Sequence, residues 1–475
     1  MTAKTDVVVL GAGPAGVGAA IAARRYGLSV IVMDEATEAG GQVYRAPAPG
    51  LPRDTAETRP GETLRATLAA SGALCRLGEI VWSITPLADG AGFRVDSLGE
   101  AGPRMVEATR LILATGAQER VVPFPGWTLP GIIGLAGATI LLKSQGMAPG
   151  TATLVAGTGP LLAAVAAGIL KVGGHVAAVV DIASRADWLA TLPALASRPA
   201  LFGRGLGWHA KIRAAGVPLL FGHVIEKAEA NGAKLEITLA PVDRTGRLQD
   251  GARRRMTVDS VAVGHGLVPA SDAARLLRAA SDYDQARGHW QPRTDAGFRA
   301  SLPGLYVAGD GAGIAGADAA FLQGQIAGLS AAADHGCAVP AEEIAALRRS
   351  ASRVGTVGTA MARLSVPRRG QIAAIAPETI VCRCEDVTRA EIDRAIGEGA
   401  RDINQLKSWT RCGMGPCQGR VCGDIVGALV AAGTGRARAE VGVFTARTPL
   451  RPLPVEALTG VYEYADIRLP PAAPL

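Results

Sequence analysis

Residues 6–35 read DVVVLGAGPAGVGAAIAARRYGLSVIVMDE, and this stretch decides the fold class. Its first apolar run, residues 7–10, is typical of a parallel strand that is buried on both faces. The turn that follows holds Gly11, Gly13 and Gly16 in the pattern Gly-x-Gly-x-x-Gly. The first glycine makes the turn, the second lets a pyrophosphate approach the backbone, and the third lets helix and strand touch. The Ala-rich helix then offers its free N–H groups to the anion.

Two acids close this first unit. Asp34 stands eighteen residues after Gly16, at the predicted end of the second strand, where a carboxylate accepts hydrogen bonds from a ribose. Glu35 follows it directly and is a further candidate for cofactor binding. Motif, strand–helix context and acid together indicate a bound dinucleotide. The alternative is a glycine turn in an α/β protein that binds no nucleotide.

A second copy of the unit occupies residues 152–181, which read ATLVAGTGPLLAAVAAGILKVGGHVAAVVD. Gly157 and Gly159 repeat the turn, and Asp181 ends the second strand. The third glycine is replaced by Leu162, whose side chain pushes the helix from the strand or fills space that a nucleotide uses. Three interpretations stay open for this copy: NAD(P)H binding, an adenine-nucleotide site without redox work, and a structural relic. The repeat itself indicates one nucleotide-binding architecture used twice.

The order of segments predicts an α/β fold with two nested Rossmann-like domains and a small, mainly helical C-terminal unit. A Pro/Gly-rich connector follows one buried strand, and a later buried strand runs into the glycine turn of residues 304–310. In the last unit, Thr388 and Glu391 have the spacing of a capping box. The expected boundaries are 1–126 with 270–345 for the first domain, 127–269 for the second, 346–377 for a linker, 378–440 for the third unit and 441–475 for an extended arm.

Composition and charge narrow the function classes. The 475 residues carry a net charge of +7 and no Lys/Arg run with interleaved aromatic residues, so we expect no nucleic-acid partner. The uncharged run 151–170 has the length of a membrane span, but its Gly-x-Gly-Pro interruption favours strand, turn and helix. A strand begins almost at the first residue without a basic lead, which predicts no signal peptide. We expect a cytoplasmic protein, at most peripheral to the inner membrane.

Five of the seven cysteines lie in the last hundred residues: Cys382 with Cys384, Cys412 with Cys417, and Cys422. In a cytosolic protein such clusters are more often metal ligands or redox groups than disulfides. Two close pairs supply four thiolates, the ligand set of an iron–sulfur cluster, and neighbouring glycines let backbone N–H groups reach the sulfurs. Zinc, which prefers Cys-x₂₋₄-Cys pairs, and unligated thiols are the alternatives. For Cys422, a fifth candidate, we favour a buried helix position.

Four segments together resemble the flavoproteins with two dinucleotide-binding domains: GAGPAG at 11–16, GGQVYR at 40–45, ATGA at 114–117 and GLYVAGD at 304–310. The resemblance implies that the first glycine motif binds the ADP part of FAD. Besides the glycines, it assigns to the cofactor the residues Gly41, Gln42, Thr115, Gly116 and Asp310. Gly41 and Gln42 are expected near the flavin, and Asp310 is expected to accept a hydrogen bond from the ribityl chain or from a nearby phosphate-linked hydroxyl. The alternative for Asp310 is an aspartate that caps a turn.

No catalytic residue emerges from the sequence. Many proteins of that superfamily reduce disulfides through Cys-x-x-Cys beside the flavin, but residues 76–336 contain no cysteine, which excludes that chemistry. A nucleophile with a base, or a pair of catalytic carboxylates, is not evident either. Of the six scattered histidines, only His265, in VGHGLVPA, stands out.

The stretch 382–420 resembles the bacterioferritin-associated-ferredoxin-like domain, which holds a 2Fe–2S cluster. The resemblance implies Cys382, Cys384, Cys412 and Cys417 as metal ligands. That family commonly closes with Cys-x-x-Cys, whereas the second pair here is wider. A flavin takes two electrons and a cluster carries one at a time, so the two cofactors on one chain indicate electron transfer.

Nearly the whole chain resembles the α subunits of heteromeric FAD/iron–sulfur amino-acid dehydrogenases. That family includes the opine oxidase A subunit, the D-hydroxyproline dehydrogenase α subunit, and one of the hydrogen cyanide synthase subunits. The resemblance implies a partner β subunit with its own flavin, which oxidises the C–N bond of an opine or a D-hydroxyproline-like amino acid. It also implies FMN at the subunit interface, a small ferredoxin-like γ subunit, and a quinone or dye as electron acceptor.

Two other functions compete with this interpretation. One is a self-contained NAD(P)H-dependent flavin/iron–sulfur reductase, against which Leu162 argues. The other is an iron–sulfur sensing or delivery module, which the intact FAD motifs oppose because a scaffold needs no flavin.

Overall fold

The structure is a computed structural model that describes residues 3–88 and 90–458 of the chain. Residues 459–475 of the expected C-terminal arm therefore lie outside the described residues. The strands are β1 (Ala3–Leu10), β2 (Val30–Asp34), β3 (Leu74–Leu77), β4 (Ile80–Pro86), β5 (Phe93–Gly99), β6 (Gly102–Leu113), β7 (Ala117–Glu119), β8 (Ile132–Gly134), β9 (Ala152–Gly157), β10 (His175–Asp181), β11 (Leu219–Phe221), β12 (His223–Asn231), β13 (Lys234–Pro241), β14 (Arg254–Val258), β15 (Ser260–Gly264), β16 (Leu267–Pro269), β17 (Ser281–Asp284), β18 (His289–Pro292), β19 (Leu305–Val307), β20 (Ile380–Cys382) and β21 (Val387–Thr388).

The α-helices are α1 (Pro14–Arg25), α2 (Arg59–Ala70), α3 (Leu135–Ile140), α4 (Leu161–Lys171), α5 (Arg185–Ala190), α6 (Leu192–Ala196), α7 (Pro199–Ala214), α8 (Asp272–Leu276), α9 (Ala317–Asp334), α10 (Ala341–Leu364), α11 (Arg369–Ala373), α12 (Arg389–Gly397), α13 (Ile403–Thr410), α14 (Gly423–Thr434) and α15 (Arg438–Val441). Two 3₁₀ turns, Gly309–Gly311 and Val455–Ala457, and a π-helical turn, Leu141–Gln145, complete the regular structure of the described residues.

The first sheet is built around β1, whose central valines are completely buried. Strands β3, β2, β1, β6 and β19 run parallel in that order, and β5 and β4 extend the sheet antiparallel from β6. Helices α1 and α9 pack together on one face of this sheet. A Cβ atom at Gly324 of α9 would lie 1.8 Å from the carbonyl oxygen of Ala15, so the close approach of the two helices requires glycine there.

The second sheet repeats this arrangement on a smaller scale. Strands β11, β10, β9, β15 and β8 are all parallel, and an antiparallel sheet of β12, β13 and β14 packs beside them. The uncharged run 151–170 forms β9 and most of α4, as predicted. Among the described residues, no helix has the length and apolar character needed to cross a membrane. The α/β fold class with two Rossmann-like units is confirmed.

The two large units are joined by a short antiparallel pair. Strand β7 leaves the first unit and pairs with β16, on which the chain returns from the second, with Ala117 opposite Pro269 and Glu119 opposite Leu267. The chain thus crosses between the two units twice at one place. Most of the expected linker, residues 346–377, lies in the 24-residue helix α10 and in α11.

The C-terminal unit is mainly helical and has its own apolar core. That core gathers side chains of α12, α13 and α14 together with three cysteines. The predicted capping box is confirmed: the Thr388 hydroxyl accepts from the N–H of Glu391, whose carboxylate accepts from the N–H of Thr388. Beyond α15, the chain turns back onto the first unit, where Leu450 is buried and donates its N–H to the Trp82 carbonyl over 2.8 Å.

Candidate cofactor and metal sites

The first glycine turn requires glycine at Gly11 and Gly16, the first and third positions of its motif. Gly11 has a φ of +109°, and a Cβ atom there would lie 2.3 Å from the Ala114 carbonyl oxygen. A Cβ at Gly16 would lie 1.7 Å from the Gly11 carbonyl oxygen, so the third glycine is what lets α1 touch the turn. Gly13 is the N-cap of α1 and brings no capping side chain. The first N–H groups of α1 therefore stay available to an anion such as a pyrophosphate.

Asp34 lies at the end of β2, and its carboxylate is hydrogen-bonded to the backbone of this turn. Its Oδ2 accepts from the N–H of Ala12 over 2.6 Å, and its Oδ1 accepts from the N–H of Ala36 over 2.8 Å. Burial raises the pKa of the Asp34 carboxyl. Glu35 points elsewhere and forms an ion pair with Arg451 at 3.0 Å. Of the two acids, Asp34 is the one placed beside the glycine turn.

The GGQ segment folds over the same turn. Gly40 donates its N–H to the Ala12 carbonyl over 2.9 Å, and Gly41, with a φ of +58°, approaches so closely that its Cβ would lie 3.0 Å from the Gly13 Cα. Gln42 is exposed and accepts hydrogen bonds from the Arg45 guanidinium. The structure therefore brings Gly41 to the nucleotide turn and leaves the Gln42 side chain at the surface.

Thr115, Gly116 and Asp310 meet at the carboxyl edge of the first sheet, the edge that also carries the glycine turn: a Cβ at Gly11 would lie 3.5 Å from the backbone nitrogen of Thr115. Thr115 donates its hydroxyl to the Ala270 carbonyl over 2.6 Å, and a Cβ at Gly311 would lie 3.1 Å from the same hydroxyl. Asp310 Oδ1 accepts from the N–H groups of residues 315 and 316, each over 2.9 Å. Its Oδ2 has no partner among the described residues, and is free to accept from a hydroxyl group. Asp310 thus both caps a turn and presents a free acceptor, and these residues fit a dinucleotide with a polyol chain.

The second glycine turn is covered by the chain itself. Gly157 has a φ of +137° and touches the Gly264 backbone, as a nucleotide turn does. Ser365, which follows α10, lies across it: a Cβ at Gly159 would be 3.1 Å from the Ser365 Oγ, and one at Gly266 would be 2.4 Å from the Ser365 Cβ. The hydroxyl-bearing residue therefore occupies the place in front of the turn where a pyrophosphate would lie.

The carboxylate of Asp181, the acid of the second motif, already accepts hydrogen bonds within the chain. Asp181 Oδ1 accepts from the N–H of Ala183 and Oδ2 from the indole N–H of Trp188, both over 2.9 Å. Burial raises the pKa of the Asp181 carboxyl to about 7. Leu162, at the position of the third glycine, is buried in the core between α4 and the sheet. These contacts leave the second motif a poor fit for NAD(P)H.

Three cysteines form a compact buried trio. The sulfurs of Cys382, Cys412 and Cys422 all lie within 4.8 Å of one another, and all three residues are buried. The backbone N–H of Gly413 donates to the Cys382 sulfur over 3.5 Å. A single tetrahedral ion with metal–sulfur bonds of about 2.3 Å needs sulfurs roughly 3.8 Å apart, so the trio has the dimensions of a metal site.

Cys384 and Cys417 lie beside the trio, closer to the surface. A hydrogen bond joins the Cys384 sulfur to the backbone of Cys417, while burial raises the pKa of the Cys384 thiol. Gly415 packs against Cys384 so tightly that a Cβ would lie 2.2 Å from the Cys384 Cβ. The structure thus brings together Cys382 with Cys412 and Cys384 with Cys417, and it adds Cys422 to the first group.

Mutual contacts shift the pKa values of the three thiols in opposite directions. Hydrogen bonds from the thiols of Cys412 and Cys422 hold the pKa of Cys382 far below its usual range. The same contact with Cys382 raises the pKa of Cys412 and of Cys422. These contacts favour a thiolate at Cys382 with protonated thiols at Cys412 and Cys422, and a metal ion is what would permit all three to lose their protons.

A buried arginine fastens the cysteine-bearing unit to the other two. Arg120, directly after β7, has a side chain only 1% exposed and forms an ion pair with Asp424 of α14 at 2.7 Å. It also donates to the carbonyl oxygens of Ser365 and Gly288, over 2.9 and 2.6 Å. Arg438 holds Asp424 from the other side at 2.9 Å. Because Asp424 follows Cys422 by two residues, this ion pair fixes the cysteine site relative to the flavoprotein-like units.

Family comparisons agree with this arrangement. Residues 5–336 match the family described as pyridine nucleotide-disulphide oxidoreductase, and residues 376–461 match the sarcosine oxidase A3 domain. Fold and glycine turns thus define the class of the protein as a two-domain nucleotide-binding oxidoreductase with an added C-terminal unit. A domain of this class implies FAD as its cofactor.

Relatives of the same length narrow the class to a family. The chain is 35% identical to hydrogen cyanide synthase subunit HcnB of Pseudomonas aeruginosa, over 95% of this chain and 97% of the relative. It is 33% identical to the opine oxidase A subunit of Rhizobium meliloti, over 96% of this chain and 99% of the relative. The chain belongs to the family that includes the opine oxidase A subunit and hydrogen cyanide synthase subunit HcnB. Both of these relatives are oxidoreductase subunits of multi-subunit enzymes. The predicted family is confirmed.

Solved structures share the fold. L-proline dehydrogenase from P. horikoshii superposes with a TM-score of 0.71 at 21% identity, over 97% of this chain and 80% of that one. Thioredoxin reductase from T. acidophilum covers 70% of this chain and 99% of its own, with a TM-score of 0.51 at 21% identity. Of these two structures, only the first shares the fold through the C-terminal unit.

Proposed function

We propose that this chain is the electron-transfer subunit of a heteromeric, dye- or quinone-linked dehydrogenase, whose amine site lies on a partner β subunit. The substrate class is an opine or a D-hydroxyproline-like amino acid, oxidised at its C–N bond. The observation that carries the proposal is the presence, on one chain, of an open dinucleotide turn and of five neighbouring cysteines in a unit that Arg120 joins to the rest of the molecule. Whole-length similarity to subunits named for opine oxidase and hydrogen cyanide synthase supports it.

FAD is the proposed occupant of the first turn. Gly11, Gly13 and Gly16 would admit the pyrophosphate, and Asp34 would hold the turn and face the ribose. Gly41, Thr115 and Gly116 would border the flavin side, and the free Oδ2 of Asp310 would accept from a ribityl hydroxyl. Bound FAD takes up two electrons together and releases them singly, and an iron–sulfur cluster carries them one at a time.

A 2Fe–2S cluster is the proposed occupant of the cysteine centre. Its ligands on this proposal are Cys382, Cys384, Cys412 and Cys417, two from each close pair. Cys422 is held in the same buried trio as Cys382 and Cys412, and is the one further sulfur of the described centre that can replace a member of the set. The donated hydrogen bond from Gly413 is typical of backbone N–H groups that stabilise cluster sulfurs.

The remaining partners belong to the same proposal. They are a β subunit with its own flavin, FMN at the interface of the two subunits, a small ferredoxin-like γ subunit, and a quinone or another electron acceptor. A cytoplasmic location fits this set of partners. An adenine nucleotide in the second unit is less well supported, because Ser365 and Trp188 already occupy the contacts that a nucleotide would use.

Purification of the complex tests the proposal. The chain should be co-purified from its native host with the products of neighbouring genes, and the complex analysed by visible spectroscopy, iron and sulfide content, and a screen of opines and D-amino acids with an artificial dye. The expected result is a yellow-brown complex that reduces the dye only when an amine substrate is present. Amine oxidation by this chain alone, without flavin or sulfide, contradicts the proposal.

A further inference from the structure

A cleft opens between the second sheet and the segment that leads into the C-terminal unit. Its enclosed volume is about 50 Å³ and continues into open solvent on one side, so that a ligand would lie partly outside it. Its floor is formed by the ends of β9 and β15, one wall by the connector after β7, and another by α11. The apolar lining is supplied by Val122, Phe124, Ile225, Val263 and Ile375.

His265 gives the cleft one oriented donor. It is 7% exposed, and its Nδ1 accepts the N–H of Val122 over 3.1 Å. This hydrogen bond places the ring proton on Nε2. Burial lowers the pKa of His265 to about 3, so the ring stays neutral at physiological pH. No group among the described residues accepts from Nε2–H, which makes it a donor without a partner in a nine-tenths buried position.

Gln371 supplies a second polar group from the opposite wall. It is 9% exposed, and its amide has no partner within the described part of the chain. The charged side chain at the rim, Glu226, is already paired with Arg253 at 3.0 Å. Neither lysine nor arginine is among the described residues that line the cleft. A phosphate-bearing ligand would meet no lysine or arginine here, only His265 and His223, whereas a neutral ring with carbonyl groups finds both hydrogen-bond partners and apolar walls.

The cleft adjoins the cysteine centre. Val122 and Ile375 line the cleft and also belong to the apolar core that contains Cys382, Cys412 and Cys422. Behind Phe124, the indole N–H of Trp127 donates over 2.6 Å to the carbonyl of Ile380, which shares strand β20 with Cys382. A ligand in the cleft would therefore be separated from the cysteine-bearing unit only by a shared layer of apolar side chains.

We propose that this cleft binds the head group of a quinone, with one ring carbonyl accepting from His265 Nε2–H and the amide of Gln371 meeting the other polar edge. The inference rests on the proposed function for the source of electrons. The quinone takes up the two electrons released by C–N oxidation and two protons from solvent at the open side, so that both C=O groups become C–OH in the quinol. The alternative ligand, an adenine nucleotide, is disfavoured by the covered turn at Gly159 and by the lack of a lysine or arginine among the described lining residues.

Binding is tested on the full-length purified chain with decylubiquinone as the probe, by equilibrium dialysis. His265→Asn retains an acceptor for the Val122 N–H but withdraws the donor from the cleft, and Gln371→Leu removes the amide at similar volume. Each variant should raise Kd about five- to tenfold, because one neutral hydrogen bond is lost. His175→Asn, the same substitution at an exposed histidine outside the cleft, should bind like the wild type. Unchanged affinity in both cleft variants overturns the proposal, as does displacement of the quinone by AMP at similar concentration.

Activity of the complete heteromer separates this inference from the proposed function. With amine substrate, the two cleft variants should reduce an artificial dye at the wild-type rate and decylubiquinone several-fold more slowly. If the wild-type complex reduces no dye, the proposed function fails while the dialysis result still decides the cleft. If dye and quinone rates fall together in both variants, the cleft is not the quinone site. Equal far-ultraviolet circular dichroism of the variants and the wild type establishes that each one is folded.

Discussion

Asp310 shows how one carboxylate serves both the fold and a cofactor. Its Oδ1 accepts two backbone N–H groups at the start of α9, and its Oδ2 remains free. Asp310→Ala should lose most of the bound flavin and destabilise the chain by about 1–3 kcal/mol, since two N–H groups lose their acceptor. Asp310→Asn keeps an acceptor for the turn, and should fold normally with less flavin than the wild type. The flavin-to-protein absorbance ratio and urea unfolding check this; full flavin content in Asp310→Ala contradicts it.

Single substitutions can also test which cysteines of the cysteine centre are its ligands. If the predicted four thiols bind the cluster, Cys417→Ser should lose most of its iron and acid-labile sulfide, and Cys422→Ser should retain both. Metal and sulfide analysis of each anaerobically purified variant measures the difference. Cys75→Ser, which lies in the first unit away from the centre, is the matched control. Loss of iron in Cys422→Ser with retention in Cys417→Ser would exchange these two cysteines in the assignment.

His289 makes the stability of the chain depend on pH. The ring is 1% exposed and faces Arg120, Arg287 and Asp284; burial, with the two arginines, lowers its pKa to about 4. The folded state then keeps the ring neutral while the unfolded chain binds a proton below about pH 6.5, so stability falls as the pH drops between these values. His289→Leu removes this contribution. Its free energy of unfolding relative to the wild type should rise by about 2 kcal/mol from pH 8 to pH 5 in urea titrations, and a pH-independent difference would contradict the assigned pKa.

At the scale of single helices and strands, the sequence predicted those features that depend only on contacts between residues close together in the chain. The run 6–35 predicted β1, its glycine turn, α1 and β2. The apolar strand residues, the spacing of the glycines and the final acid that carried this prediction all lie within thirty residues. The capping box at Thr388 is equally local. Helix α10 was expected as part of a linker, since its polar, Arg-rich sequence has no strong signal until α9 and the second unit offer it surfaces to pack on.

The features that complete the sites come from long-range contacts. Ser365, which covers Gly159, is more than two hundred residues away from it in the sequence. Arg120 and Asp424, which form an ion pair, are about three hundred residues apart in the sequence. Neither residue lies in a motif, so no spacing rule identifies it. Cys422 was recognised as a candidate, but only the fold of the glycine loop decides that its sulfur meets Cys382. The sequence could thus name the cofactor turns and the cysteines, and could not say which turn is open.

For the buried ion pair between Arg120 and Asp424, we expect removal of one partner to destabilise the chain more than removal of the other. Asp424→Leu leaves Arg120 and Arg438 both without their shared carboxylate, whereas Arg120→Met leaves Asp424 still paired with Arg438. Stranding a buried charge costs about 3–5 kcal/mol, so Asp424→Leu should be the more destabilising of the two. Urea unfolding of both variants and of the double variant measures this, and the double variant should recover part of the loss. The reverse order would show that Arg120 acts through its carbonyl contacts alone.

At the scale of the whole molecule, the two nucleotide-binding units differ in how accessible their glycine turns are. The first presents an open turn with a free carboxylate oxygen, while the second has its turn beneath Ser365, its acid bonded to Trp188 and Arg368 tied to Asp187 at 2.7 Å. A nicotinamide nucleotide would have to displace all three contacts before it could reach the flavin.

The purified holo-complex should therefore keep its flavin oxidised when mixed anaerobically with NADH or NADPH, and bleach when an amine substrate is added instead. Rapid-mixing absorbance of the flavin follows both reactions in one preparation, so the amine arm is the positive control for an intact complex. In the variant Ser365→Gly the turn loses its cover but Asp181 stays bonded to Trp188, and nucleotide reduction should remain absent. Fast bleaching of the wild type by either nucleotide would make the chain a reductase in its own right, because electrons would then enter through the second unit and not from a partner.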